Sequence, residues 1–251
     1  AIMKLLPHQQ KDFYEILKTM APCPVTIRLL DPPLHEFLPN SDQLPDVANQ
    51  LNISIESLKK RIQSLHELNP MLGHRGCRLG ISFPEITEMQ VTAILNATAQ
   101  LLKEGYKPLP EIMIPLVGSL AEFKNQKALI VRVANKIQKE KDVQINFLIG
   151  TMIELPRACA VANQIAKEAD FFSFGTNDLT QTTYGFSRDD IASFLPTYLE
   201  NNIISEDPFE TIDVEGVGTL VKMGVKKGRL ANKALKIGIC GEHGGDPKSI
   251  N

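Results

Sequence analysis

Short apolar runs alternate with amphipathic stretches along most of this chain. Pro24-Val25-Thr26-Ile27-Arg28-Leu29-Leu30-Asp31 reads as a strand that stops at Pro32-Pro33, which cannot continue a ladder. Four more runs follow: Glu111–Val117, Ile145–Ile153, Phe171–Phe174 and Leu235–Ile239. Between and before them, apolar residues recur at helical spacing. Phe13, Ile16, Leu17 and Met20 mark a helix over residues 8–20. Ile86, Met89, Ala93, Ile94, Ala97 and Leu101 mark one from Phe83-Pro84-Glu85 to Gly105. Leu120, Phe123, Ile130, Val131, Ala134 and Ile137 mark a third, opened by Gly118-Ser119 and running to about Lys141. Residues 156–169 and 218–227 are expected to be helical too. Strands without a polar face, in strict β-α order, predict a parallel sheet covered by helices.

The rhythm fails in three places. Residues 34–70 carry turn signals at Pro39-Asn40-Ser41-Asp42 and Leu44-Pro45-Asp46, then a capped helix start at Ser54 with Ile55, Leu58, Ile62 and Leu65 behind it. This stretch is expected to be a helical insertion on the rim of the sheet. Gly73-His74-Arg75-Gly76-Cys77-Arg78-Leu79-Gly80-Ile81 is glycine-rich. Read as extended chain, it points Arg75 and Arg78 to opposite faces, and Arg75 is favoured as the one that lines a pocket. Residues 182–207 form a polar excursion containing Arg188. Lys248–Asn251 is expected to stop without a closing helix.

Charge and composition narrow the function classes. The 251 residues carry a net charge of −2, which favours neither nucleic acid nor an anionic membrane surface. No apolar run reaches the roughly 18 residues of a membrane span. Ala1–Pro7 is too short in apolar content for a signal peptide, and the lack of Met at position 1 suggests a cut boundary. Cys23, Cys77, Cys159 and Cys240 form no Cys-x-x-Cys pair, which suggests a reducing compartment.

Candidate chemistry gathers where strands end. Phe171–Phe174 is broken by Gly175 and followed at once by Thr176, Asn177 and Asp178. Some twenty residues earlier, the Ile145–Ile153 run closes on Glu154. Ligand sites of α/β folds lie at the carboxyl ends of parallel strands. Two acids on successive strand ends suit a hard cation such as Mg²⁺, which takes one or two carboxylates plus substrate oxygens and water. Each motif also has a plainer explanation: Thr-Asn-Asp is a common helix cap, and Glu154 before Leu155-Pro156 is an ordinary first-turn acid. Arg28, inside an apolar run, is either an anion ligand or half of a structural ion pair. Arg188 either reaches over a bound anion or pairs with Asp189 or Asp190. Cys240 ends the last strand before Gly241, Gly244 and Gly245, so its thiol is accessible and open to tuning by Glu242 and His243. Cys77 and Cys159 read as packing residues.

These segments together resemble one family. Thr26-Ile27-Arg28-Leu29-Leu30-Asp31-Pro32-Pro33-Leu34-His35-Glu36-Phe37, Gly73-His74-Arg75-Gly76-Cys77-Arg78-Leu79, Gly150-Thr151-Met152-Ile153-Glu154, Phe174-Gly175-Thr176-Asn177-Asp178-Leu179-Thr180-Gln181 and Cys240-Gly241-Glu242-His243-Gly244-Gly245 are similar, in the same order, to the phosphoenolpyruvate/pyruvate-binding domain of the pyruvate phosphate dikinase family. The resemblance covers essentially the whole chain as one domain, residues 1–251. It implies a (β/α)₈ TIM-type barrel, incomplete here, with strands two to seven present and the first and eighth outside Ala1–Asn251.

The resemblance further implies a phosphotransferase that interconverts phosphoenolpyruvate and pyruvate through an enolate, within the overall reaction of ATP, pyruvate and phosphate to AMP, phosphoenolpyruvate and diphosphate. Mg²⁺ would sit on Glu154 and Asp178. Arg28 and Arg75 would bind the transferring phosphoryl group, with Arg188 as a further cation. Gly175, Thr176, Asn177 and Asp178 would contact substrate, and Cys240 would protonate the enolate. Its partners would be a phosphohistidine swivel domain and a nucleotide-binding domain of the full-length chain. The whole is expected to be a homodimer in the cytoplasm, or in an organelle of a eukaryote, with no nucleic acid or membrane partner. Two other readings remain: a metal-dependent pyruvate-enolate aldolase or lyase, which leaves the arginines unexplained, and a non-catalytic binding or dimerisation fragment.

Overall fold

In the computed structural model, which describes residues 2–250, the apolar runs become five strands. They are β1 (Pro24–Arg28), β2 (Leu109–Ile114), β3 (Leu148–Ile153), β4 (Phe171–Gly175) and β5 (Lys236–Cys240). All pair in parallel, in chain order β1-β2-β3-β4-β5. Successive side chains alternate between two faces. Ile27, Ile112, Ile114, Ile149, Ile153, Phe172 and Phe174 join the main core with the helices. Met113, Met152 and Phe171 form a second cluster on the opposite face, with Cys240 against it.

The sheet curls around that second face. Lys236 on β5 reaches Glu111 on β2, with Nζ 2.6 Å from Oε1, and Thr26 on β1 donates to Glu111 Oε2 at 2.7 Å. Side chains on strands this far apart in the sheet meet only when it bends toward closure. The inner face tolerates no crowding. A Cβ at Gly150 would lie 2.4 Å from the Phe171 ring.

The expected strand count is overturned. Strands two to seven of an eight-stranded barrel would be six strands, whereas the described residues hold five in one open half-barrel sheet. Gly73–Ile81, the remaining segment read as extended, closes into helix from Gly76 onward. Cys77, Leu79 and Gly80 are buried there together, a spacing that suits a helix turned into the core rather than a strand.

Helices account for the remaining periodicity. α1 (Leu6–Met20) rests on the later α5 through Leu17, Ala97 and Leu101. α2 (Leu44–Leu51) and α3 (Ile55–Ser64) lie within residues 34–70 and share a small cluster of Leu44, Ala48 and Leu58. Ser54 caps α3, its Oγ accepting the Ser57 N–H. α4 (Gly76–Ser82) and α5 (Pro84–Lys103) follow, then α6 (Leu120–Lys141). Ser119 caps α6, and Glu122 reaches back to the Gly118 N–H at 2.8 Å.

The expected helix over 156–169 is two short ones, α7 (Pro156–Ala160) and α8 (Ala162–Ile165), with Val161 between them. α9 (Thr176–Tyr184) begins directly at the end of β4, and α10 (Leu195–Glu200) lies in the polar excursion. α11 (Val217–Ala231) outruns its expected bounds at the carboxyl end. Gly224 and Gly228 let it lie close on the sheet: a Cβ at either would stand 2.9 Å from Phe174 or Leu235. α12 (Pro247–Ile250) closes the described residues, where no helix was expected. No helix among them is long and apolar enough to cross a membrane.

Candidate functional site

The carboxyl ends of the strands surround a cavity of about 300 Å³, and seven of the nine sequence-predicted site residues line it. Arg28 comes from the end of β1, Glu154 from just past β3, Gly175 from the end of β4, and Cys240 from the end of β5. Thr176, Asn177 and Asp178 are the first turn of α9. Met113 and Met152 floor the cavity from the inner face of the sheet.

Glu154 is fully buried. Its Oε1 accepts the Leu116 N–H at 2.6 Å. Leu116 turns that N–H inward with φ +58, a backbone region uncommon for a leucine, two residues past the end of β2. Glu154 Oε2 has no hydrogen-bond partner. A Cβ at Gly175 would lie 2.5 Å from it, so the glycine leaves room for the carboxylate. Burial first, then the negative charges of Asp178 and Asp31, push the Glu154 carboxyl up to about 8, against the opposing Leu116 N–H and Arg75.

Arg75 is buried between two acids. Its Nη1 stands 3.0 Å from Asp178 Oδ1, its Nη2 3.2 Å from Asp178 Oδ2 and 2.5 Å from Asp31 Oδ2. Burial works against its charge, but Asp178 and Asp31 outweigh that and hold it firmly protonated. Arg28 is more open than its apolar neighbours suggest, with a side chain 49% exposed beside Asp31 at 3.5 Å. Arg28 is thus ion-paired, as one of its two readings expects, and it also lines the cavity. Arg78 turns away and donates to the Leu72 and Gly73 carbonyls at 2.7 and 2.9 Å. Arg188 does not line the cavity. It pairs with Glu242 on the exposed rim, rather than with Asp189 or Asp190.

Cys240 is partly buried, with Sγ 3.5 Å from the Phe174 carbonyl. Its thiol pKa is raised by burial and by Glu154, in spite of Ser173 and Arg28, so it is held as a thiol. Glu242 and His243 do not tune it directly. Glu242 is taken by Arg188, and His243 is buried, with Nδ1 2.7 Å from Thr176 Oγ1 and Nε2 3.0 Å from the Pro208 carbonyl. Sequence reasoning missed Asp31 as part of this site and gave His243 the wrong partner, Cys240 instead of Thr176. A signal existed for Asp31, three residues past Arg28 at the strand's end. His243 meets Thr176 across 67 residues of sequence, which no local pattern reports.

No group of three or more His, Cys, Asp or Glu among the described residues is gathered closely enough to hold a metal by itself. The donor set nonetheless suits Mg²⁺, which needs only one or two carboxylates when substrate and water complete its shell. Glu154 Oε2 and Asn177 Oδ1 are buried oxygens without partners at the cavity, and Asp178 borders it. Such orphaned acceptors are stabilised by a cation.

Comparison with known proteins identifies the family. A model of the PEP-utilising enzyme, PEP-binding domain matches residues 2–251. The chain belongs to that family. This PEP-binding domain is 57% identical over 252 residues to a pyruvate, phosphate dikinase of Rhizobium meliloti, covering 100% of this chain and 28% of that protein. It is 54% identical over 249 residues to the chloroplastic pyruvate, phosphate dikinase 1 of Arabidopsis thaliana, covering 98% of this chain and 26% of that one. A Rickettsia typhi pyruvate, phosphate dikinase is 54% identical over 252 residues, with 29% of its length covered. The PEP-binding domain thus spans little more than a quarter of the length of these relatives.

Proposed function

We propose that this domain binds phosphoenolpyruvate and pyruvate and performs the enolate half of a pyruvate phosphate dikinase reaction. A phosphohistidine on a separate swivel domain of the full-length protein exchanges the phosphoryl group, and a nucleotide-binding domain recharges it. The observation that carries this reading is one cavity lined by Glu154, Asp178, Arg28 and the partly buried Cys240 thiol, with Arg75 held beside it on Asp178. The names of the relatives support the substrate class. Bound Mg²⁺, held by Glu154 and Asp178, would supply positive charge to the substrate oxygens.

The chain's own residues divide the remaining work. Arg28 and Arg75 face the phosphoryl group and offset the charge that develops on it as it transfers. Thr176 and Asn177, in the first turn of α9, orient the substrate carboxylate. Met113 and Met152 keep water from the cavity floor. In the direction of pyruvate, the bond from phosphorus to the enol oxygen breaks and the phosphoryl group passes to the histidine. The enolate then takes the Cys240 Sγ proton at carbon three, and solvent reprotonates the thiolate. Running backwards, the Cys240 thiol first loses its proton to solvent, and the thiolate then takes a proton from carbon three. Arg188 would reach substrate only by leaving Glu242. The complete protein would be a homodimer in the cytoplasm or an organelle.

Two assays on the full-length protein test this reading. Solvent-proton exchange at the pyruvate methyl, with Mg²⁺, reports enolisation. Phosphoryl transfer from phosphoenolpyruvate to the swivel-domain histidine reports the second half. Exchange without transfer would leave the lyase reading standing. Absence of both would reduce the domain to a binding or dimerisation module.

A further inference from the structure

Asp31 has no role in the reaction described so far, yet it is the residue on which both arginines converge. Its side chain is 7% exposed and does not line the cavity. Oδ2 lies 2.5 Å from Arg75 Nη2 and 3.5 Å from Arg28 Nη1. Its backbone carbonyl accepts from Arg75 Nε–H at 3.3 Å and from the Gly76 N–H at 3.3 Å. Asp31 therefore grips Arg75 through side chain and main chain at once, from 44 residues away. The loop reaches it only because residue 76 is glycine. Gly76 has φ +56, and a Cβ there would lie 3.1 Å from Asp31 Oδ1 and 2.7 Å from Leu116 Cβ.

Two guanidinium groups aimed at one anion repel each other until the anion arrives. A fixed buried carboxylate between them offsets that repulsion and holds their forks in place beforehand. Asp178 cannot serve Arg28 in this way, since the ion pairs of Arg28 among the described residues run to Asp31 alone. Asp31 lies three residues past the end of β1 and directly before Pro32-Pro33, so its position is set close to the strand that carries Arg28.

We infer that Asp31 is a positioning residue for phosphoryl transfer, setting Arg28 and Arg75 toward a single phosphoryl group without touching it. This rests on the phosphotransferase reading above. The geometry separates its effect from that of the acids at the cavity. Losing Asp31 should disturb transfer of the phosphoryl group far more than removal of the pyruvate methyl proton.

The test uses a full-length dikinase carrying this domain, with Asp31→Asn, Asp31→Glu, Arg28→Ala, Arg75→Ala and the double variants of Asp31→Asn with each arginine change. Asp31→Asn is expected to slow phosphoryl transfer to histidine between tenfold and a hundredfold while changing methyl-proton exchange less than threefold. Asp31→Glu, which keeps the charge, is expected to recover part of the transfer rate. In the Arg28→Ala or Arg75→Ala background, Asp31→Asn should cost less than it does alone, because one of the two groups it positions is gone. Parallel loss in both assays, or an undiminished penalty in both arginine backgrounds, would overturn the inference and make Asp31 a fold residue. Should Asp31→Asn not fold, Asp31→Glu is scored by the same split between the two assays. Arginine variants that leave transfer untouched would instead overturn the phosphotransferase reading itself.

Discussion

Replacing Glu154 with Gln should make the metal-free domain less sensitive to pH, and at alkaline pH more stable. The ordinary carboxyl of an unfolded chain has a pKa of 4.5, and in the fold that of Glu154 rises to about 8. Each pKa unit is worth about 1.36 kcal/mol, so the ionised carboxylate opposes folding by up to about 5 kcal/mol. The sign follows from proton counting. Between pH 4.5 and about 8 the folded state holds a proton that the unfolded chain has released. Stability from this group is therefore complete below pH 4.5 and is lost as pH rises toward 8, at about 1.4 kcal/mol per unit.

A Gln amide cannot ionise, so that slope should disappear. It can still accept the Leu116 N–H, but its NH₂ takes the place of Oε2, which has no partner. That substitution carries a pH-independent penalty of about 1–3 kcal/mol. The two stability curves should cross, with the wild type ahead near pH 5 and the variant ahead by roughly 2–4 kcal/mol above pH 8. Urea unfolding of residues 1–251 in a chelator, at half-unit steps from pH 5 to 8.5, measures this directly. Added Mg²⁺ should then stabilise the wild type at pH 8 and leave the variant unchanged, because a ligand that binds only the folded state adds to its stability. Parallel curves for the two proteins would refute both the buried ionisation and the electrostatic reason for placing a cation there.

Four further outcomes are expected. Arg28→Ala in the full-length protein should raise the phosphoryl-transfer barrier by about 3 kcal/mol, the scale of one preorganised donor, and slow methyl-proton exchange much less. Equal losses in the two assays would show that its ion pair with Asp31 is all that matters. Cys240→Ser should keep phosphoenolpyruvate binding and lose methyl-proton exchange, because a hydroxyl is a far poorer acid than a thiol. Exchange at the wild-type rate would remove Cys240 from the proton path. Cys77→Ala and Cys159→Ala, whose thiols burial pushes up to about 12, should leave turnover near normal. Gly175→Ala places a Cβ 2.5 Å from Glu154 Oε2 and should weaken Mg²⁺ binding at least tenfold, about 1.4 kcal/mol, by calorimetry. Unchanged affinity would mean that the carboxylate sits elsewhere when metal is bound.

The sheet was legible because each strand is a short run without a polar face, and the gaps between runs have helical period. Five such runs became the five strands. The sixth strand was expected from a count in another protein's frame, and the local residues never supported it. Gly73–Ile81 has no apolar run of its own, and Gly76 at positive φ starts a helix there. Break points inside helical stretches were less visible. Nothing in the composition of Pro156–Ile165 marks Val161 as the residue that divides α7 from α8.

The cavity residues were legible for a different reason. A residue just past a buried parallel strand is delivered to the same rim whatever its type, so Arg28, Glu154, Gly175 and Cys240 could be placed by counting strand ends. Partnership between them could not. Arg75 meets Asp178 across 103 residues, and Arg188 meets Glu242 across 54. Local charge patterning offered Asp189 and Asp190 to Arg188 instead, and offered His243 to Cys240. Those choices fail because curvature, not sequence distance, decides which rim loops touch. The same curvature puts Lys236 on Glu111. The ends of the first and fifth strands, Arg28 and Cys240, line one cavity, and the chemistry at the rim follows from that curvature. It also leaves Asp178 bound to Arg75, so a cation arriving at Asp178 must share or displace that guanidinium. On the proposed function, with Mg²⁺ on Asp178 and the phosphoryl group on Arg75, the two ligands would favour one another, since the arginine released by the first is the one the second requires.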